Sequence, residues 1–392
     1  MLLAGEKIVQ LGSDEQGVAK TDAEITAKYI SGDIRIVTEQ ARYFLDSIPT
    51  MKSVKIDTTP EYQRRERWNN GKKSRLIESF IMNIPVPPIF LYEHKLAHYE
   101  VMDGKQRITA IRDFYNDIFA LEGLEYWKEL EGRKYSTLPD TIRSAIDRRA
   151  LSGIVLLYET AQSDPQRSME LKKLVFERIN SGGVELTHQE SRNALYNGPM
   201  NELCLKISQD NNFVQLWGIY SGNIDTGEEP SEIYKNMTDV ELVLRFFAIR
   251  QRADFVGVYE YLSEYLDFYL KQANSFSDKL LSELEELFTK TMEVIISVLG
   301  DKAFCPYRRN PDGSTVQIGK PSYLMYEPIC YIFAKYIDRA DEILDRREMV
   351  RTSLVRSIVD NSDKFKGRLS NPNYIFERIS ILEVALVSAL EN

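Results

Sequence analysis

Histidine is scarce, with three in 392 residues: His94, His98 and His188. A histidine-ligated nuclease centre or a histidine-based hydrolase is hard to assemble from so few imidazoles. His94 and His98 stand four apart. That spacing puts two metal ligands on one face of a helix, but here it falls between two strand-like runs, where a turn is expected. Cysteine is equally scarce. Cys204, Cys305 and Cys330 are far apart and odd in number, which argues against a disulfide framework and fits a reducing cytoplasm. No stretch approaches the ~20 apolar residues of a membrane span, and residues 1–6 turn acidic too soon for a signal peptide. The Gly-x-x-x-x-Gly-Lys-Ser/Thr, Gly-x-Gly-x-x-Gly and Gly-x-Ser-x-Gly patterns are absent. Gly71-Lys72-Lys73-Ser74 lacks the upstream glycine and strand of a P-loop. Excess positive charge is missing too. The net charge is −9, so the molecule as a whole is no electrostatic nucleic-acid binder, and any such contact needs a local patch.

What is present is ordinary globular material, 43% hydrophobic and 28% charged, long enough for two or three domains. Residues 1–20 are weakly patterned. Helical periodicity follows around 22–31 and 38–47, the latter closed by Ile48-Pro49, giving an N-terminal helical arm over 1–50. Residues 51–200 alternate strands (54–56, 89–92, 99–102, 154–158) with helices (74–81, 105–114, and one opened by Asp164-Pro165). Thr187 and Glu190 form a capping box for the next helix. The mixture predicts an α+β class. From 201 to 392 the pattern is helical throughout. Leu281, Leu284, Phe288, Met292, Ile295 and Leu299 step by threes and fours. Asn371-Pro372 opens a last helix, and Tyr261, Tyr265 and Phe268 form a core stripe.

The densest chemistry is Asp103-Gly104-Lys105-Gln106-Arg107, at the joint between a strand and a helix. Such a joint gathers free N–H groups and the positive end of a helix dipole, so it suits phosphate. Gly104 lets a ligand approach the main chain. Lys105 and Arg107 neutralise phosphate charge, Asp103 holds a metal ion or orients water, and Gln106 positions water or bonds a phosphate oxygen. An Asp-Gly pair reads equally as a plain turn. Upstream, residues 51–75 hold eight Lys/Arg against three acids. Tyr62, Gln63, Arg64 and Trp68 are interleaved with them, a composition that serves a nucleotide, a nucleic-acid backbone or simply a solvated face. Arg178 and Asn180 stand at a helix end before Gly182 and Gly183, and a glycine C-cap explains one of those glycines but not the pair.

Four segments occur in order over about residues 50–200: Tyr62-Gln63-Arg64 with Trp68; Leu76-Ile77-Glu78-Ser79 running to Ile84-Pro85-Val86-Pro87; Asp103–Arg107; and Phe176 to Gly183 with Leu186-Thr187. Together they resemble the DGQQR-motif domain, the amino-terminal domain of GmrSD-type modification-dependent restriction enzymes. The resemblance implies a ParB/sulfiredoxin-like mixed domain at 51–200, followed by an all-helical C-terminal domain at 201–392. It implies a cytoplasmic NTP-hydrolysing component of bacterial anti-phage defence. Asp103, Gln106 and Arg107 would be catalytic, and Gly104, Lys105, Gln63, Arg64, Arg178 and Asn180 would bind nucleotide, with Mg2+ on Asp103. The partners expected are a nucleotide and a second copy or a defence-system subunit, with DNA along the 52–75 segment suggested by its basic composition and no membrane suggested by the hydropathy. A competing reading is a non-enzymatic DNA-binding module. Two departures stand out. Lys105 replaces the family's usual glutamine. Residues 200–392 contain no histidine, so the HNH nuclease that often follows this domain is not expected, and the chain reads as a stand-alone member.

Overall fold

The computed structural model describes residues 2–9, 21–31, 36–53, 56–57, 68–157, 165–180, 187–222, 228–255, 258–259, 261–310, 312, 314–366 and 372–391. The chain divides into an α+β unit, residues 12–186, and a helical unit formed by residues 187–392 with residues 1–11.

In chain order the α+β unit comprises α1 (Asp22–Ser31), β1 (Thr38–Phe44), β2 (Ile56–Asp57), α2 (Asn70–Ile81), β3 (Ile89–Lys95), β4 (His98–Asp103), α3 (Lys105–Tyr115), α4 (Asp140–Asp147), β5 (Ala150–Leu156) and α5 (Pro165–Asn180). The sheet order is β1-β5-β3-β4-β2. The β1/β5 and β3/β4 pairs are antiparallel, while β3/β5 and β2/β4 are parallel. Side chains alternate across a strand, so Ile89, Leu91, Val101, Leu151 and Val155 share one face. They form one core with Leu76 and Ile77 of α2 and Ile108, Ile111 and Phe114 of α3. The opposite face carries Tyr92 and Glu100. Lys172 of α5 pairs with Glu100 at 2.8 Å and lies 4.9 Å from the Tyr92 ring centre, which seats α5 on that side.

Within the expected N-terminal arm, 22–31 is helical as read. The helical expectation for 38–47 is overturned, because Thr38–Phe44 is a strand in full register with β5, from Thr38 opposite Leu156 to Phe44 opposite Ala150. Glu-Gln-Ala-Arg favours a helix locally, but pairing that half-buries Ala41 and Tyr43 overrides propensity. Its exposed Glu39 and Arg42 are the charges that keep an edge strand from pairing further. Pro49 falls inside a run of 3-10 turns, Leu45–Ser53, rather than ending a helix.

The helical unit holds α6 (His188–Leu195), α7 (Pro199–Ile207), α8 (Asn211–Trp217), α9 (Glu232–Lys235), α10 (Thr238–Ile249), α11 (Leu262–Ala273), α12 (Asp278–Leu299), β6 (Tyr307–Arg309), β7 (Thr315–Gln317), α13 (Tyr323–Lys335), α14 (Ala340–Asp345), α15 (Arg347–Asp360) and α16 (Pro372–Glu391). The antiparallel hairpin β6/β7 corrects the expectation of a purely helical C-terminal half. α12 runs through the middle and packs against α7, α8, α13, α14 and α15. The capping box is present: Thr187 Oγ1 accepts from the Glu190 N–H, and Glu190 accepts from the Thr187 N–H. Buried Arg192 bonds both Glu241 and Asp267 at 2.8 Å and so ties α6 to α10 and α11. No helix among the described residues is long and apolar enough to cross a membrane.

Candidate functional site

β4 ends at Asp103 and α3 begins at Lys105, so the turn between them is a single residue. Gly104 makes that turn with φ +98, a conformation that costs most side chains dearly. Space forbids a side chain as well: a Cβ on Gly104 would lie 2.3 Å from Ile89 Cγ2. Ile89 is almost fully buried, and its Cγ1 also borders Gly153 of β5, 3.4 Å from where a Cβ would stand, although the atom that crowds that position most is Tyr43 Cε2 at 2.8 Å. One isoleucine therefore sits between two glycines and fixes the height of the turn above the sheet.

Arg107 folds back over this turn. Its Nη2 donates to Asp103 Oδ2 at 2.6 Å and to the Pro88 carbonyl at 3.1 Å. The pair is mostly enclosed, with 15% of the Arg107 side chain and 33% of the Asp103 side chain exposed. The guanidinium is thus held by its neighbour four residues back and by the chain entering β3. Its Nε is buried with no hydrogen-bond partner, and no bond engages Asp103 Oδ1 among the described residues. Gln106 is buried, and its Oε1 is also without a partner. Leaving such an oxygen unpaired costs about 1–3 kcal/mol. Gly104 offers no capping side chain to the first turn of α3. The first intrahelical bond runs from Ile108 N–H to the Gly104 carbonyl, so the N–H groups of residues 105–107 precede the helical ladder.

Residues 48–197 match the family described as the GmrSD restriction endonuclease, N-terminal domain. This segment is a GmrSD N-terminal domain. No curated protein and no solved structure matches the chain.

The GmrSD domain keeps Asp103, Gly104, Lys105, Gln106 and Arg107 together at one joint. Lys105 is half-exposed on the first turn of α3. Arg178 is exposed in the last turn of α5, whose final residue is Asn180. Gln63 and Arg64 lie outside the described residues. Of the basic 51–75 cluster, Lys72 and Arg75 are exposed, but Lys73 faces inward. Its Nζ pairs with Asp113 of α3 at 3.1 Å and lies 5.7 Å from the Phe119 ring centre. Lys73 therefore joins two helices and is withdrawn from any nucleic-acid surface.

Two contributors escaped the sequence. The Pro88 carbonyl steadies Arg107, and a backbone acceptor carries no residue-type signature. Glu78 accepts from the backbone N–H groups of Glu125, Tyr126 and Trp127 at 3.2, 2.8 and 2.8 Å. Burial raises its pKa, but these three donors outweigh that effect and hold it below the usual carboxylate value. Its place in the Leu76-Ile77-Glu78-Ser79 motif was visible, but its partners, some 47 residues on, were not.

Proposed function

We propose that this GmrSD-type domain binds and hydrolyses a nucleoside triphosphate as a component of a restriction-type defence system. The observation that carries the reading is the Asp103–Gly104–Arg107 joint. A side-chain-free turn, an uncapped helix start and a guanidinium fixed beside them form a cradle for a phosphate chain. Phosphoryl transfer depends mainly on positioning and charge stabilisation, which these groups supply without histidine or cysteine. The first-turn N–H groups and Lys105 hold the phosphates. Arg107, already oriented by Asp103 and Pro88, meets the charge that develops on the transferred group. The vacant Gln106 Oε1 accepts a hydrogen bond from the attacking water.

Among the described residues no group of three or more His, Cys, Asp or Glu side chains gathers to hold a metal. Asp103 offers one carboxylate, and one of its oxygens is already engaged. That donor set fits Mg2+ arriving with the nucleotide, coordinated largely by phosphate and water, rather than a resident ion. The metal would supply charge neutralisation on the phosphates, with Asp103 Oδ1 as its protein ligand.

Calorimetric titration of the full chain with each of the four common nucleoside triphosphates in Mg2+ tests the binding half. At least one is expected to bind, and Arg107→Ala is expected to weaken it about 10- to 100-fold. Absence of binding to all four by the unmodified chain overturns the reading.

A further inference from the structure

Far along the chain from this joint, the hairpin β6/β7 and helix α15 enclose a basic groove. One cavity of about 380 Å³ lies between Tyr307, Arg309, Thr315 and Gln317 of the hairpin and Arg351 and Arg356 of α15. A second, of about 290 Å³, continues past Arg308, Ser362, Phe365 and Lys366. The two share Tyr307, Arg309 and Val359, so they adjoin along one side of the hairpin and helix. Together they follow α15, whose 14 residues span about 21 Å.

The charge balance in this groove is the reverse of the molecule's. Five cations line it (Arg308, Arg309, Arg351, Arg356 and Lys366) against one carboxylate, Glu348. Arg309 is neutralised by Asp360 at 3.0 Å. Arg308, Arg351 and Arg356 have no carboxylate within 4.0 Å among the described residues. In a chain of net charge −9, three such arginines in one groove are not explained by folding. Neutral donors stand beside them in Thr315, Gln317 and Thr352, and the half-buried Tyr307 ring borders both cavities.

We propose that this groove binds a nucleic-acid strand through its phosphodiester backbone. Its length suits a chain of phosphates better than a single one. Guanidinium forks with hydroxyl and amide donors are the usual backbone contacts. An aromatic ring among the cations offers a face on which a base can stack, which an acidic peptide would not use. The groove shares no residue with the Asp103–Arg107 joint, and the inference goes beyond the function proposed for that joint.

The test is fluorescence anisotropy of a labelled 20-nucleotide oligothymidylate with the full chain over a range of salt concentrations. The comparison is with Arg351→Gln/Arg356→Gln and with the charge-keeping Arg351→Lys/Arg356→Lys. Both positions are exposed, so unchanged thermal unfolding is expected. The glutamine pair should bind at least about 10-fold more weakly at low salt. Its log K against log salt slope should be shallower by about 1.4, that is about 0.7 for each phosphate no longer neutralised. The lysine pair should keep the slope. The proposal is overturned if the unmodified chain binds no strand, if the glutamine pair binds with unchanged affinity and slope, or if polyglutamate displaces the strand as well as unlabelled oligonucleotide does.

Discussion

Glu78 shows how one side chain can hold a segment that has no secondary structure of its own. Three N–H groups of residues 125–127 converge on its carboxylate. Because its folded pKa lies below the ordinary value, the ionised form is favoured in the folded state. Its contribution is complete above the unfolded pKa, ~4.3, and is lost as pH falls through the folded value. Glu78→Gln should therefore cost about 2 kcal/mol at neutral pH. Thermal unfolding of the two proteins from pH 7 to pH 3 checks this. The gap between their midpoints should narrow as pH falls below about 4.3, and a gap that stays constant across the range contradicts the assignment. Lys73 teaches the complementary lesson. In sequence it is one more base in a basic run, and only its distance from Asp113, 40 residues on, makes it internal.

At the scale of elements, the joint between β4 and α3 was legible because two signals coincide there. A switch from alternating to helical periodicity meets an Asp-Gly pair that only one conformation satisfies. The edge strand Thr38–Phe44 was not legible, since its partner β5 lies more than a hundred residues later and its own composition points to a helix. The hairpin β6/β7 was hidden for a similar reason, its strands being three residues each. The joint also depends on a second element, through Ile89 of β3. Gly104→Ala should destabilise by about 2–4 kcal/mol from backbone strain and overpacking. Because the clash is with Ile89 Cγ2, adding Ile89→Ala should cost at least about 1 kcal/mol less than the sum of the single effects. Urea denaturation of the four proteins measures this coupling. Additivity within about 0.5 kcal/mol would mean that Ile89 does not set the height of the turn.

At the scale of the molecule, the start of the chain belongs to the unit that forms its end. Ile8 lies in the helical core. The Gln251 amide accepts from the Ile8 N–H and donates to the Glu6 carbonyl, both at 2.9 Å. Fully buried Glu6 pairs with Arg250 at 3.1 Å. Nothing in the weak pattern of residues 1–11 announced this docking, because two or three buried side chains leave no periodicity. Removing residues 1–9 takes the carboxylate from a buried pair, a change that costs about 3–5 kcal/mol. Hydrogen exchange of the truncated chain should show protection lost in α10 and α11 and kept in the five-stranded sheet. Equal loss in both units would contradict the division of the chain.

The function proposed for the GmrSD domain places hydrolysis at one joint, and phosphate release reads that directly. With Mg2+ and each of the four common nucleoside triphosphates, the unmodified chain is expected to release phosphate from at least one. Arg107→Ala should lower the rate by a factor of ~10²–10³ while keeping its fold by circular dichroism. Equal release by the two proteins, or none by the unmodified chain with or without added DNA, would contradict the assignment of catalysis to Asp103–Arg107.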